Sequence, residues 1–254
     1  MKKIITIILV AMFSLTAFAV DAERDSLWNK AVAAYSEGDY KMALDNFSEL
    51  ENRGYSSPEL FYNIGNCYFK QEHHLGSSIL YYERALKLNP SFDDAKNNLA
   101  LAREFTLDRI DEVPEFVLVT WVKNFRDTLS TNAWAYISLA LFASMTIMLL
   151  LFRFSRRVVL RKTAFSVAII AFIFAVITFL FSVSLNKKMT GEDQAVVMLP
   201  VSSVKSSPSS TQASLFIIHE GTKVNIIEKL GEWTRIELSD GRQGWLKNGD
   251  IEII

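Results

Sequence analysis

Residues 80–90 read LYYERALKLNP. Leu80, Tyr81, Tyr82, Ala85, Leu86 and Leu88 recur at helical spacing, and Asn89-Pro90 ends the run because proline disfavours helix at the residue before it. One such helix carries no functional meaning, so the deciding question is whether it recurs. Aligned with itself, this part of the chain sets LWNKAVAAYSEGDYKMALDNFSEL (27–50) against FYNIGNCYFKQEHHLGSSILYYERAL (61–86). Leu27 matches Phe61 and Ala31 matches Gly65 at a period of 34 residues, while Ala43 and Phe47 match Ser78 and Tyr82 at 35. The extra residue falls near His73-His74. A partial third unit, DDAKNNLALAREF (93–105), puts Leu99 and Ala100 where Ile64 and Gly65 stand.

This period, with small residues at Ala31, Ala43, Gly65 and Ser78 and a closing Pro90, resembles the tetratricopeptide family over residues 24–106. The resemblance implies an all-α solenoid in a domain spanning 24–112, with units at 24–56 and 58–91 and a capping helix at 93–106. In such a unit the small residues let two antiparallel helices approach closely. Phe47 and Tyr82 then fill the space between units, with Tyr68 in the same packing and Ala34 at its counterpart. Gly38-Asp39 supplies a turn. Lys96, Arg103 and Glu104 are candidates for the solvated side of the capping helix. The family's usual groove carries over onto Tyr62, Asn63, Asn66 and Asn97, since an asparagine amide both donates to and accepts from a ligand backbone. The alternative for each is an ordinary solvated helix residue. A basic clamp for a C-terminal carboxylate is not evident, because its positions hold Trp28, Asn66 and Asp94.

Half of the 254 residues are hydrophobic, and the formal net charge is −1. The apolar excess lies in three segments. The first, within MKKIITIILVAMFSLTAFAVDAE, has a charged start at Lys2-Lys3, an apolar centre and a small-x-small site at Ala17-Phe18-Ala19, which predicts a signal peptide over 1–19. An uncleaved anchor is the alternative, and both readings carry the chain beyond it across the membrane. Residues 133–152 and 163–185 carry no charge, and at about 1.5 Å per residue each is long enough for a hydrocarbon core of about 30 Å. Between them RFSRRVVLRK (153–162) bears Arg153, Arg156, Arg157, Arg161 and Lys162. Basic residues in short loops stay cytoplasmic, so both soluble pieces are predicted outside; Lys187-Lys188 oppose this with two charges against five. Cys67 is the only cysteine, which excludes an internal disulfide. No basic stripe marks either soluble piece, so nucleic acid is not an expected partner.

Residues 114–131 form an amphipathic connector, with Leu118, Trp121, Val122, Phe125 and Leu129 on one helical face. It suits either the outer membrane–water boundary, where Trp121 and Trp134 fit, or packing on the repeat domain. Beyond Lys188 come short alternating runs separated by Glu220-Gly221, Leu230-Gly231, Asp240-Gly241 and Asn248-Gly249, which predict a small all-β barrel. HEGTKV, GEWTRIEL and DGRQGWL resemble the bacterial SH3-like family over 194–254, with Trp233, Gly244 and Trp245 on its motif. Core packing and barrel closure are favoured for these three over ligand contact. Residues 202–210 read as a serine-rich loop.

No nucleophile–base, phosphate-loop or metal-spaced constellation occurs, which points away from an enzyme and implies no cofactor and no metal. Cys67, in a packed helix, reads as an inert buried thiol. The whole is a multi-domain membrane protein: export signal, repeats, connector, two transmembrane helices and an SH3-like tail. This order resembles the Bacteroides aerotolerance (Bat) family over nearly the whole chain, most specifically through LFYNIGNCYFK, ILYYERALKLNP, DDAKNNLALA and GRQGWL. The resemblance implies a scaffold of the cytoplasmic (inner) membrane with both end domains in the periplasm. It implies partners with von Willebrand A-type domains, a MoxR-type ATPase system and a link to oxygen or envelope stress tolerance. Peptidoglycan binding through the SH3-like domain is the main alternative; an envelope hydrolase would need a nucleophile or metal site that the sequence does not offer. A reporter that is active only outside the cytoplasm, inserted within 153–162, is expected to stay silent, and activity there would reverse the orientation.

Overall fold

The computed structural model describes residues 23–71, 74–110 and 116–254. The export signal expected over 1–19, His73 and residues 111–115 lie outside them. Helix α1 (residues 23–36) leads to α2 (Tyr40–Asn52) through Gly38, whose φ of +84° suits glycine. Asp39 caps α2, its Oδ1 accepting from the Met42 N–H at 2.9 Å. α3 (Pro58–Lys70) starts on Ser57, whose Oγ accepts from the Leu60 N–H at 3.1 Å, with Pro58 where no backbone donor is needed. α4 (Leu75–Leu88) and α5 (Asp93–Glu104) complete the helical stack.

Small residues set its spacing. Ala31, Ala43, Gly65 and Ser78 are buried, and Phe47 fills its place with its ring 5.3 Å from Trp28. A Cβ on Gly65 would lie 2.7 Å from Tyr82 Cδ1, so only glycine lets α4 approach α3 this closely. Tyr68 stacks on Tyr81, and Ala34 is buried at the equivalent place in the first pair of helices. Ala95, Leu99 and Ala102 are the buried face of α5. Ala100, aligned with Gly65, is exposed, because α5 has no following helix of its own to receive.

Seven strands form one antiparallel sheet in the order β3-β2-β6-β5-β4-β1-β7. They are β1 (Gln194–Val197), β2 (Val201–Lys205), β3 (Ser214–His219), β4 (Lys223–Leu230), β5 (Trp233–Glu237), β6 (Gln243–Lys247) and β7 (Ile251–Ile253). The expected closed barrel is not formed: β3 and β7 are the sheet's two edges rather than partners. β7 is occupied otherwise, since Arg84 Nη2 on α4 donates to the Ile253 carbonyl at 2.9 Å and pairs with Glu252 at 3.0 Å. The sheet core comprises Ala195, Val197, Val204, Ile218, Val224, Ile236, Leu238 and Leu246.

The chain divides into two compact units. One joins the helical stack (23–86 and 92–110) to the sheet, although residues 112–192 intervene in sequence. Ile79, Leu80, Tyr82, Leu99 and Ala102 from α4 and α5 form a single buried cluster with Val196 and Ile254, and Ile110 packs on the sheet core. The sheet thus packs on α4 and α5 at the end of the stack.

The second unit holds α6 (Val117–Arg126), α7 (Thr131–Phe154) and α8 (Val158–Thr190). Helices α7 and α8 are long and apolar enough to cross a membrane. They pack through Ala164, Ala168, Ala171, Ala175 and Thr178 of α8, small residues that allow close approach, and Ser138 Oγ donates to the Ala175 carbonyl at 3.0 Å. The basic stretch 153–162 is mostly helical: Arg153 lies in the last turn of α7, Arg161 and Lys162 lie in α8, and only residues 155–157 turn between them.

Gly65→Ala should destabilise the first unit. Its helix-propensity gain of up to about 1 kcal/mol is outweighed by overpacking worth about 1–3 kcal/mol against a fully buried tyrosine ring. Denaturant unfolding of the full chain followed by proteolysis checks this, and an unchanged midpoint counts against the close approach.

Candidate protein-interaction surface

Helices α3 and α5 carry the residues expected in the groove. Tyr62 is half-buried, its ring 5.1 Å from Phe92 and 6.0 Å from Tyr82, and its Oη accepts from Asn98 Nδ2 at 3.2 Å. Asn66 is only 9% exposed, and its Oδ1 accepts from Tyr82 Oη at 2.7 Å and Asn98 Nδ2 at 2.8 Å. Burial pushes the Tyr82 phenol pKa upward, so the hydroxyl remains a donor to Asn66. The structure therefore gathers Tyr62 and Asn66 with Asn98, which sequence reasoning missed, and commits the Asn66 acceptor to the fold. Asn97, next to it, is exposed on α5, and Asn63 is half-buried on α3. The signal for Asn98 was its place beside Leu99, on the inward side of α5.

A polar seam joins the stack to the sheet, and none of it was foreseen. Glu83, with 7% of its side chain exposed, receives Arg103 at 2.6 Å and Lys223 at 2.7 Å. Lys96, Arg103 and Glu104 are all exposed on α5, Lys96 paired with Asp93 and Arg103 with Glu83. Glu220 Oε1 accepts from the Gly76 N–H at 2.7 Å in the first turn of α4, where a carboxylate suits the helix dipole. A Cβ on Gly76 would lie 3.1 Å from the Val197 carbonyl, another close approach. Asp108 accepts three bonds from the end of β3 and the turn after it: the His219 N–H at 2.6 Å, His219 Nδ1 at 2.8 Å and Thr222 Oγ1 at 2.6 Å.

On the sheet, Gly244 is buried, and a Cβ there would meet Val204 and the Lys205 carbonyl, so it serves close strand packing. Trp233 and Trp245 are not in the core. Thr234, Ile236 and Leu246 point inward, and strand alternation turns both tryptophans to the opposite face, half-buried. There Trp245 pairs with Arg235 and Lys205, and Trp233 pairs with Lys247. Cys67 is fully buried, which pushes its thiol pKa up to about 12 and keeps it unreactive. Arg153, Arg156, Arg157, Arg161 and Lys162 are all exposed, with the Arg161 guanidinium 5.3 Å from the centre of the Phe152 ring. Among the described residues no cluster of three or more His, Cys, Asp or Glu has metal-holding geometry.

No protein-family profile matches the chain. The Photosystem I assembly protein Ycf3 of Cyanophora paradoxa is 34% identical to it over 82 residues, which are 31% of this chain. The chain spans 47% of the length of that relative.

Burial alone would raise the Asp108 pKa, but bonds from Thr222 and then His219 hold it below the usual carboxylate value. A depressed folded-state pKa means that the stabilisation is complete above the ordinary carboxylate pKa of about 4 and is lost as pH falls through the folded value. Asp108→Asn is expected to weaken the seam by about 1–3 kcal/mol at neutral pH and to remove this part of the acid sensitivity. Unfolding midpoints of both proteins at pH 7 and at about pH 3 test it, and parallel acid profiles would count against the assignment.

Proposed function

We propose that the chain is a membrane-anchored, non-enzymatic scaffold of the bacterial cell envelope that holds partner proteins on its helical repeat. The observation that carries this reading is the α3/α5 face. With the end of the stack covered by the sheet, it keeps exposed Asn97, half-buried Asn63 and the edge of Tyr62 for a ligand segment. The 34% identity to a protein named for assembly supports an interaction role. The repeat and sheet are read as tetratricopeptide and SH3-like, and the sheet is an open variant of the barrel. Two spans return the chain to the side it left, and the packing of stack and sheet into one unit requires both on the same side of a membrane. Together with the basic residues at the α7–α8 turn, this supports a cytoplasmic membrane location with both soluble parts periplasmic.

Within that reading the chain is a BatE-type member of the Bat family, and its partners are von Willebrand A-domain membrane proteins with a MoxR-type ATPase system. Peptidoglycan binding is the second reading. Trp233 and Trp245 favour it, lying on the outer face of the sheet among Lys205, Arg235 and Lys247. Rings stack on sugar faces, and cations pair with carboxylates.

Full-length protein carrying Asn63→Arg and Asn97→Arg, cross-linked in intact cells, is expected to recover about tenfold less von Willebrand A-domain protein than the unsubstituted chain, as loss of two polar contacts predicts. Unchanged recovery sinks the groove reading. Capture of peptidoglycan fragments instead, lost with Trp233→Ala and Trp245→Ala, moves the working surface to the sheet.

A further inference from the structure

Helix α6 carries six exposed large apolar side chains; Val119 lies on its other face, and the remaining five are Val117, Leu118, Trp121, Val122 and Phe125, between 46% and 77% exposed. At about 100° per residue these five fall within an arc of about 140°, with Val119, Thr120, Lys123, Asn124 and Arg126 around the rest. The C-terminal end of the helix is clamped to the ends of α7 and α8. Phe125 meets Trp134 at 5.7 Å and Phe181 at 6.3 Å, and Trp134 Nε1 donates to the Arg126 carbonyl at 2.8 Å. Arg126 also donates to Ser184 Oγ at 2.9 Å, and Asp127 bridges Arg126 at 2.7 Å and Lys188 at 3.3 Å. This ion-paired level lies where the apolar run of α8 gives way to Lys187 and Lys188.

We infer that the Val117–Leu118–Trp121–Val122–Phe125 face is a lipid-docking surface. It lies in the headgroup–acyl boundary of the bilayer and is held at that depth by the Arg126–Asp127–Lys188 and Trp134 clamp. The inference rests on the membrane reading of α7 and α8. The occupant is lipid because the apolar face runs through Phe125 onto the exposed apolar surfaces of those same two helices, including Tyr136, Leu139, Phe179 and Leu180. A tryptophan on such a face suits the interface, being apolar in body and polar at its N–H.

The test reconstitutes full-length protein in phosphatidylcholine–phosphatidylglycerol vesicles, with a polarity-sensitive fluorophore on Leu118→Cys, Val122→Cys or Thr120→Cys. Native Cys67 is fully buried, and labelling of the unsubstituted chain provides the background. A lipid-borne quencher near the headgroup should quench positions 118 and 122 about threefold more than 120, and aqueous iodide should show the reverse. Trp134→Phe and Asp127→Asn should narrow that contrast. Equal iodide access at all three positions, or shielding of 118 and 122 from both quenchers, overturns the proposal. The latter would mean that protein covers the face. Failure of the protein to float with the vesicles overturns the membrane reading itself, whereas normal flotation with an iodide-accessible face overturns only the docking.

Discussion

Glu83 sits where α4, α5 and β4 meet, a nearly buried carboxylate held between Arg103 and Lys223. A charge so placed costs several kcal/mol in lost hydration, which two well-placed cations offset; removal of one leaves a penalty of about 3–5 kcal/mol. One of those cations, Lys223, comes from the sheet, so docking that buries Glu83 also brings a charge to offset the burial. The apolar contacts around it obey the same logic. Ile79, Leu80 and Ala102 would face water without Val196 and Ile254, and Ile110 would lose the sheet core into which it inserts. The sheet supplies the cover that helical arrays ordinarily obtain from a polar capping repeat.

This docking also explains departures from a free-standing repeat and a free-standing barrel. Ala100 is exposed on the side where a partner helix is missing, while Leu99 and Ala102 are covered. β7 hydrogen-bonds to a helix instead of closing the sheet. Glycines are needed where the two halves touch: Gly221, at φ +86°, brings its backbone within reach of Ile79 and Thr106. Each half is shaped by the other.

The helices were legible because their signals are local: a 34-residue period, small residues at fixed offsets, and caps such as Asp39 and Ser57. The two apolar helices were legible for the same reason, although their ends extend beyond the uncharged runs into the basic residues. The seam was not legible. Asp108 and His219 are 111 positions apart and Glu83 and Lys223 are 140 apart, and each residue type reads locally as ordinary surface. The tryptophans were misassigned because Thr234 hides the alternation of β5: an apolar count favours Trp233 for the core, while the parity set by Ile236 turns it outward. Asn66 looked like a ligand contact, but its bonds to Tyr82 and Asn98 cross between helices that sequence alone does not align in depth.

Because residues 112–192 interrupt the first unit, its two halves are not synthesised together. At about 5–20 residues per second, the interrupting segment alone takes several seconds to make. Throughout that interval the stack waits with an apolar flank, and Glu83 has Arg103 but not yet Lys223. If α7 and α8 are both threaded through the bilayer, the late segment arrives on the correct side and the wait ends. If one fails to thread, it never arrives. On the proposed membrane reading the fold would act as an inspection of its own insertion, since only a correctly threaded chain would bring stack and sheet together.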